Sequence, residues 1–166
     1  CQGSIQGPGA MELGHLRSAR MGDQELETIA SGWALAKRAR ARWNEDGAST
    51  LRDLVDGDER SVTGEVVGIA AGLGDRVCQE VVEQAVNALV EALTAVVTLI
   101  GPQRVILGGG VSMMEDDLWI NPIKEGLRRR VPAMFQNTVD LAKPKLGEQV
   151  VLHGAIAAAH DHLRAF

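Results

Sequence analysis

The stretch Val105-Ile106-Leu107-Gly108-Gly109-Gly110-Val111 constrains the fold more than any other. Its branched apolar residues predict a short buried strand of the kind found in the middle of a sheet. The glycines remove every Cβ where that strand ends, so the backbone there can turn sharply, take positive φ and approach a ligand closely. In open α/β sheets, ligands lie at the carboxyl ends of strands. Gly108, Gly109 and Gly110 are therefore the candidate wall for a nucleotide or another flat ligand. A strand-to-helix turn with no ligand leaves the same signature.

The segment leading into that strand predicts a long helix from Asp75 to about Ile100. Cys78, Val82, Ala85, Leu89, Leu93, Val96 and Ile100 share one face, and Glu80, Glu83, Asn87, Glu91, Thr94 and Thr98 leave only a narrow polar stripe. A helix apolar over most of its circumference is buried on several sides, under a sheet or against a partner. Gly101-Pro102 stops it.

Other elements follow from caps and periodicity. Asp23 is placed to cap a helix carrying Leu26, Ile29, Ala30, Trp33 and Ala34, with Glu25 and Glu27 in its first turn at the positive end of the dipole, Gly32 marking close packing, and a basic end at Lys37, Arg38, Arg40 and Arg42. Thr50 is placed to cap a short helix over Leu51 to Val55, and Thr63 another that ends near Gly72-Leu73-Gly74. Asp116 or Asp117 is the expected cap of a helix running to about Arg130, with Pro122 in its first turn. Asn137 to Ala142 reads as an edge strand ended by Pro144. The last helix, Glu148 to about Leu163, has a small-residue side around Gly154 and Ala155. Its His153, His160 and His162 lack the i,i+3 or i,i+4 spacing of a helical metal site.

A chain of 166 residues suits one domain with a sizeable core. The net charge of −5 makes it a poor non-specific nucleic-acid binder. Cys1 and Cys78 are too few for a disulfide framework or a zinc cluster, so a reducing, cytoplasmic setting is the default. No apolar run of about 18 residues predicts a membrane span, and no signal peptide is visible. The glycine-rich opening without an initiator methionine reads as a piece cut from a longer chain.

A second candidate site lies near the start. Met11-Glu12-Leu13-Gly14-His15 sets a carboxylate and an imidazole three residues apart beside a glycine. A carboxylate accepts hydrogen bonds from sugar hydroxyls, and an imidazole can donate, accept or bind metal. The two side chains could equally serve to cap their own loop.

These pieces occur in one order: Glu12-Leu13-Gly14-His15, Leu26-Glu27-Thr28-Ile29-Ala30-Ser31-Gly32, the long helix, Gly101-Pro102, the strand with its glycine triplet, and Leu146-Gly147 with Gly154-Ala155. In that order they resemble the carboxyl-terminal lobe of the ROK family of repressors, open reading frames and sugar kinases. The resemblance covers essentially the whole chain. It implies an α/β lobe of the ribonuclease-H-like, actin-like ATPase fold, with a mixed sheet, a long buried helix and several packing helices. It implies that Glu12 and His15 bind sugar hydroxyls and that Gly108 to Gly110 line the site of ATP, with Mg2+ on its phosphates. The catalytic aspartate is expected in an amino-terminal lobe upstream of residue 1, so no residue of this chain is assigned as the base. Two departures stand out. Family members commonly carry a cysteine-rich zinc loop just after the histidine, whereas Leu16 to Gly22 holds no cysteine, so zinc is not expected and nothing in the sequence fixes the orientation of His15. Met11 stands where the family usually has glycine.

Three functions are compatible with the resemblance. The first is a lobe of an ATP-dependent, glucokinase-like hexose kinase. The second is the sugar-sensing effector domain of a transcriptional repressor, whose DNA-binding element would lie upstream. The third is a non-catalytic assembly module with the long helix at a homodimer interface.

Overall fold

The computed structural model describes residues 12–136 and 139–164. Cys1, Met11 and Asn137 lie outside the described residues. The amino-terminal part starts with a hairpin, β1 (Arg17–Ser18) and β2 (Gln24–Glu25), paired antiparallel with Arg17 opposite Glu25 and Ser18 opposite Gln24. Asp23 does not cap a helix. It sits in the hairpin turn with φ 61°, beside Gly22 at 66°. The expected single helix is instead two. Helix α1 (Glu27–Ala30) stops at Ser31, whose backbone is extended, and α2 (Gly32–Ala41) restarts with the Ser31 hydroxyl accepting from the Ala34 amide at 3.3 Å. Serine is a strong N-cap and Gly32 has low helix propensity, so the local sequence favours a restart there. Leu26, Ile29 and Ala34 are buried as their spacing predicts, but Trp33 stands 51% exposed. The three arginines of the basic end of α2 are used within the chain. Arg38 donates to Gln84, Arg40 to the Val62 carbonyl, and Arg42 pairs with Glu45 and Glu80.

Helix α3 (Ser49–Leu54) begins one residue before Thr50, which is therefore inside it and not its cap. Helix α4 (Gly64–Gly72) is capped as expected, the Thr63 hydroxyl accepting from the Val66 amide at 3.2 Å. The core is organised on α5 (Arg76–Ile100). Asp75, 2% exposed, starts it with Oδ1 accepting from the Cys78 amide at 3.0 Å, while Oδ2 accepts from the Leu51 amide at 2.9 Å and ties in α3. Gly101 ends it at φ 61°. Burial pushes the Cys78 thiol far above its ordinary range, with Asp75 adding to the effect, as befits a core residue. By length and a mean hydropathy of 1.4, α5 could cross a membrane, but half of that apolar window is buried inside the chain itself. Helices α1, α2, α4 and α6 all pack on it. Only its last turn opens out, leaving Leu99 and Ile100 exposed.

The strand after α5 is β3 (Arg104–Ile106), which pairs in parallel with β4 (Asp140–Ala142), Val105 lying opposite Leu141. The mixed pairing is thus present as two two-stranded sheets and not one sheet. Nor is β3 a buried central strand. Among the described residues β4 is its single partner, and Ile106 is 59% exposed. Helix α6 (Ile120–Arg130) has Trp119 at its N-cap position, with no side-chain cap. Asp116 contributes its carbonyl to the Asn121 amide, and Asp117 its carboxylate to the Asn121 side chain. At the other end Glu125 binds Arg128 and Arg129. Helix α7 (Val150–Arg164) closes the chain, and a Cβ at Gly154 would meet nothing within 4 Å.

Candidate functional site

Helix α4 carries Gly64, Gly68 and Gly72 at intervals of four residues. That spacing puts three missing side chains on one face. The face borders a groove of about 680 Å³, whose other walls include Gly32, Gly110, Val111, Met113 and Met114. Ile69 and Leu73 add apolar surface, and Glu65 and Glu115 are its two carboxylates. The glycine face was legible in the sequence as a four-residue repeat, but without the fold nothing aimed it at the glycine triplet.

The triplet divides its work. Gly108 lies against Pro144, whose Cγ would be 4.0 Å from a Cβ there. Gly109 has φ 88° and ψ 168°, a region essentially closed to residues with a side chain, so it makes the turn. Gly110 begins the 3-10 turn Gly110–Met113 and alone of the three borders the groove. Two bonds hold the segment. The buried Ser112 hydroxyl donates to the Gly109 carbonyl at 2.7 Å, and Lys143 donates to the Met114 carbonyl at 2.6 Å while pairing with Asp116.

Glu12 and His15 are brought together by the 3-10 turn Leu13–His15, closed by the His15 amide donating to the Glu12 carbonyl at 3.2 Å. Both side chains are exposed. Two further carboxylates converge on this turn. Glu25 Oε2 lies 3.4 Å from His15 Nδ1, and a Cβ on Gly14 would be 3.7 Å from Glu27 Oε2. Glu27 also accepts from the Trp33 indole at 3.5 Å. Sequence reasoning spent Glu25 and Glu27 on a helix dipole, because only the hairpin reveals that they face His15 and Gly14. The turn and the groove are joined through the α1–α2 break, where a Cβ on Gly32 would be 3.6 Å from Val111 Cγ2. The polar turn reaches the start of the short α1 through Glu27, and the groove lies beyond its end at Gly32.

Known proteins resemble this chain in sequence and in fold. The chain is 30% identical over 162 residues to a glucokinase of Streptomyces coelicolor, a match covering 92% of this chain and 51% of that protein. A crystal structure of a ROK family glucokinase from Streptomyces griseus, in complex with glucose and AMPPNP, superposes with a TM-score of 0.70 at 28% identity, over 83% of this chain and 47% of that one. A ROK family transcriptional regulator, a homologue of the E. coli MLC protein, shares the fold with a TM-score of 0.61 at 22% identity, over 76% of this chain and 31% of that one. The chain spans about half the length of the curated relatives it matches. The actin-like ATPase lobe expected from the sequence is the fold observed. With the family profile matching residues 2–162, the chain belongs to the ROK family.

Proposed function

We propose that this chain is the carboxyl-terminal lobe of a two-lobed, ATP-dependent hexose kinase, glucokinase-like and cytoplasmic, in which it supplies the nucleotide groove and part of the sugar site. The observation that carries the reading is the groove itself. Gly110 and the glycine face of α4 leave room for a flat base between apolar side chains, the lining expected of a small-molecule site. Glu65 and Glu115 repel phosphate, so they suit the base and ribose end. Glu12 and His15 hold hexose hydroxyls, and Glu27, beside Gly14, is placed to join them. The relative from Streptomyces griseus binds glucose and AMPPNP, which supports both halves of the reading.

In such a reaction the sugar hydroxyl attacks the γ-phosphate, ADP leaves, and catalysis is mainly positioning and electrostatics. The base that takes the hydroxyl proton belongs to the other lobe. Mg2+ would neutralise the phosphates. Among the described residues no three His, Cys, Asp or Glu side chains form a group that could hold a metal ion.

The test is calorimetric titration of a hexose panel and of ATP into the two-lobed protein. A hydrogen bond to a charged carboxylate contributes about 1.5–3 kcal/mol, so Glu12→Gln weakens hexose binding by roughly tenfold or more. Gly110→Val weakens ATP binding and leaves hexose affinity largely intact. Wild-type affinities in both folded variants would overturn the proposal. Hexose binding lost in Glu12→Gln, with no ATP binding by the wild type, would make the protein a sugar sensor instead.

A further inference from the structure

We propose that the hairpin spanning residues 16–26 is a metal-free brace for His15, and that Glu25 is the positioning residue that orients its imidazole. The proposal rests on the sugar-site reading of His15. A segment without cysteine follows that histidine directly, and hydrogen bonds tie it together. Arg17 donates to the Asp23 carbonyl at 2.7 Å, the Asp23 amide donates to the Ser18 carbonyl at 3.0 Å, and the Leu26 amide donates to the Leu16 carbonyl at 2.8 Å. The hairpin is then fixed to the core. Ser18 is 4% exposed and donates to Glu91 Oε2 on α5 at 2.7 Å, and the Ala19 amide donates to the other oxygen of the same carboxylate at 3.2 Å. Leu26, at the far end, is itself a core residue.

What this brace presents to His15 is Glu25. Its Oε2 lies 3.4 Å from His15 Nδ1, and its Oε1 lies 3.7 Å from an Arg17 guanidinium nitrogen. A carboxylate can only accept, so in the neutral ring this contact places the proton on Nδ1 and leaves Nε2 with its lone pair. The imidazole then offers Nε2 as an acceptor to a sugar hydroxyl. An isolated contact between groups this exposed would order neither of them. Here the carboxylate is already placed by a strand whose hairpin is locked to α5, so the cost of ordering it is met by folding.

The experiment compares Glu25→Ala, Glu25→Gln and His15→Ala in the two-lobed protein, reading the His15 tautomer from ring nitrogen chemical shifts and the KM values for hexose and ATP. In wild type the Nδ1–H form dominates. Glu25→Ala moves the ring to the Nε2–H form and raises hexose KM by roughly fivefold to tenfold, a change of about 1–1.4 kcal/mol, with ATP KM unchanged. Glu25→Gln, whose amide oxygen still accepts, restores both the tautomer and most of the affinity. An unchanged tautomer and unchanged hexose KM in Glu25→Ala, alongside a raised KM in His15→Ala, would sink the brace and leave the sugar site standing. An unchanged hexose KM in His15→Ala would sink the sugar-site reading, and the brace with it. One tightly held zinc per chain, found by elemental analysis, would also overturn the proposal.

Discussion

A Cβ built on Gly64 would lie 2.7 Å from the Gly32 carbonyl oxygen and 2.8 Å from the Gly32 Cα. The first residues of α2 and α4 therefore meet backbone to backbone, and the close packing expected of Gly32 has Gly64 as its partner. Backbone cannot move aside as a side-chain end can. Gly64→Ala should cost about 1–3 kcal/mol through overpacking. At roughly 2–4 °C per kcal/mol for a chain of this size, the melting temperature should fall by several degrees. Gly72→Ala is the control on the same face. Its Cβ would meet Glu115 and Leu118 at an ordinary 3.6 Å, so the gain in helix propensity, up to about 1 kcal/mol, should raise the melting temperature.

Gly68 meets a softer neighbour. Its Cβ would lie 2.8 Å from Met114 Cγ and 2.9 Å from Cε, and the flexible methionine can shift, but Met114 borders the groove and its carbonyl is held by Lys143. Gly68→Ala should leave the melting temperature within a few degrees of wild type while raising ATP KM and sparing hexose KM. Steady-state kinetics of the two-lobed protein with each substrate varied checks this, and an unchanged ATP KM would mean that the groove is not used.

Asp75 is a buried side chain that satisfies two backbone amides at once. One oxygen caps α5 and the other receives the Leu51 amide, both out of solvent. Asp75→Ala removes a cap and strands a buried amide, for a loss of about 2–4 kcal/mol. Asp75→Asn keeps one acceptor oxygen and should lose less. Denaturant midpoints of the wild type and the two variants give the comparison, and a wild-type midpoint in Asp75→Asn would show that the second oxygen's bond contributes nothing.

Glu125 accepts from both Arg128 and Arg129, and these bonds hold its carboxyl down at about 2. Because the folded value lies below the unfolded one, its contribution to stability is full above the ordinary carboxylate range, near 4.3. It fades as pH falls from there through about 2. The carboxylate is open to solvent screening, so the effect on folding is small. A carboxyl carbon titration followed by NMR should find Glu125 still ionised at pH 3, and a midpoint near 4 would show that the arginines do not hold it.

What the sequence determined by itself was the part of the fold written in short-range chemistry. A long run of apolar residues at helical spacing, with Asp75 before it and Gly101 after it, has one solution, and α5 is that solution. Thr63 opening α4 and the restricted backbone at the glycine triplet belong to the same class. Tertiary structure decided what those elements face. The start of the helix expected from Asp23 became the second half of a hairpin, whose Ser18 and Ala19 are held by Glu91 on α5, far away in the chain. That one long-range contact turned Glu25 from a residue of a helix's first turn into the neighbour of His15. The groove has the same origin. Gly64, Gly68 and Gly72 are only a weak helix until α2 and the turn at Gly110 close on their bare face. Periodicity and capping depend on residues within a turn or two of each other and can be read along the chain. Which face meets which depends on contacts between residues distant in the chain, and only the packed fold settles them.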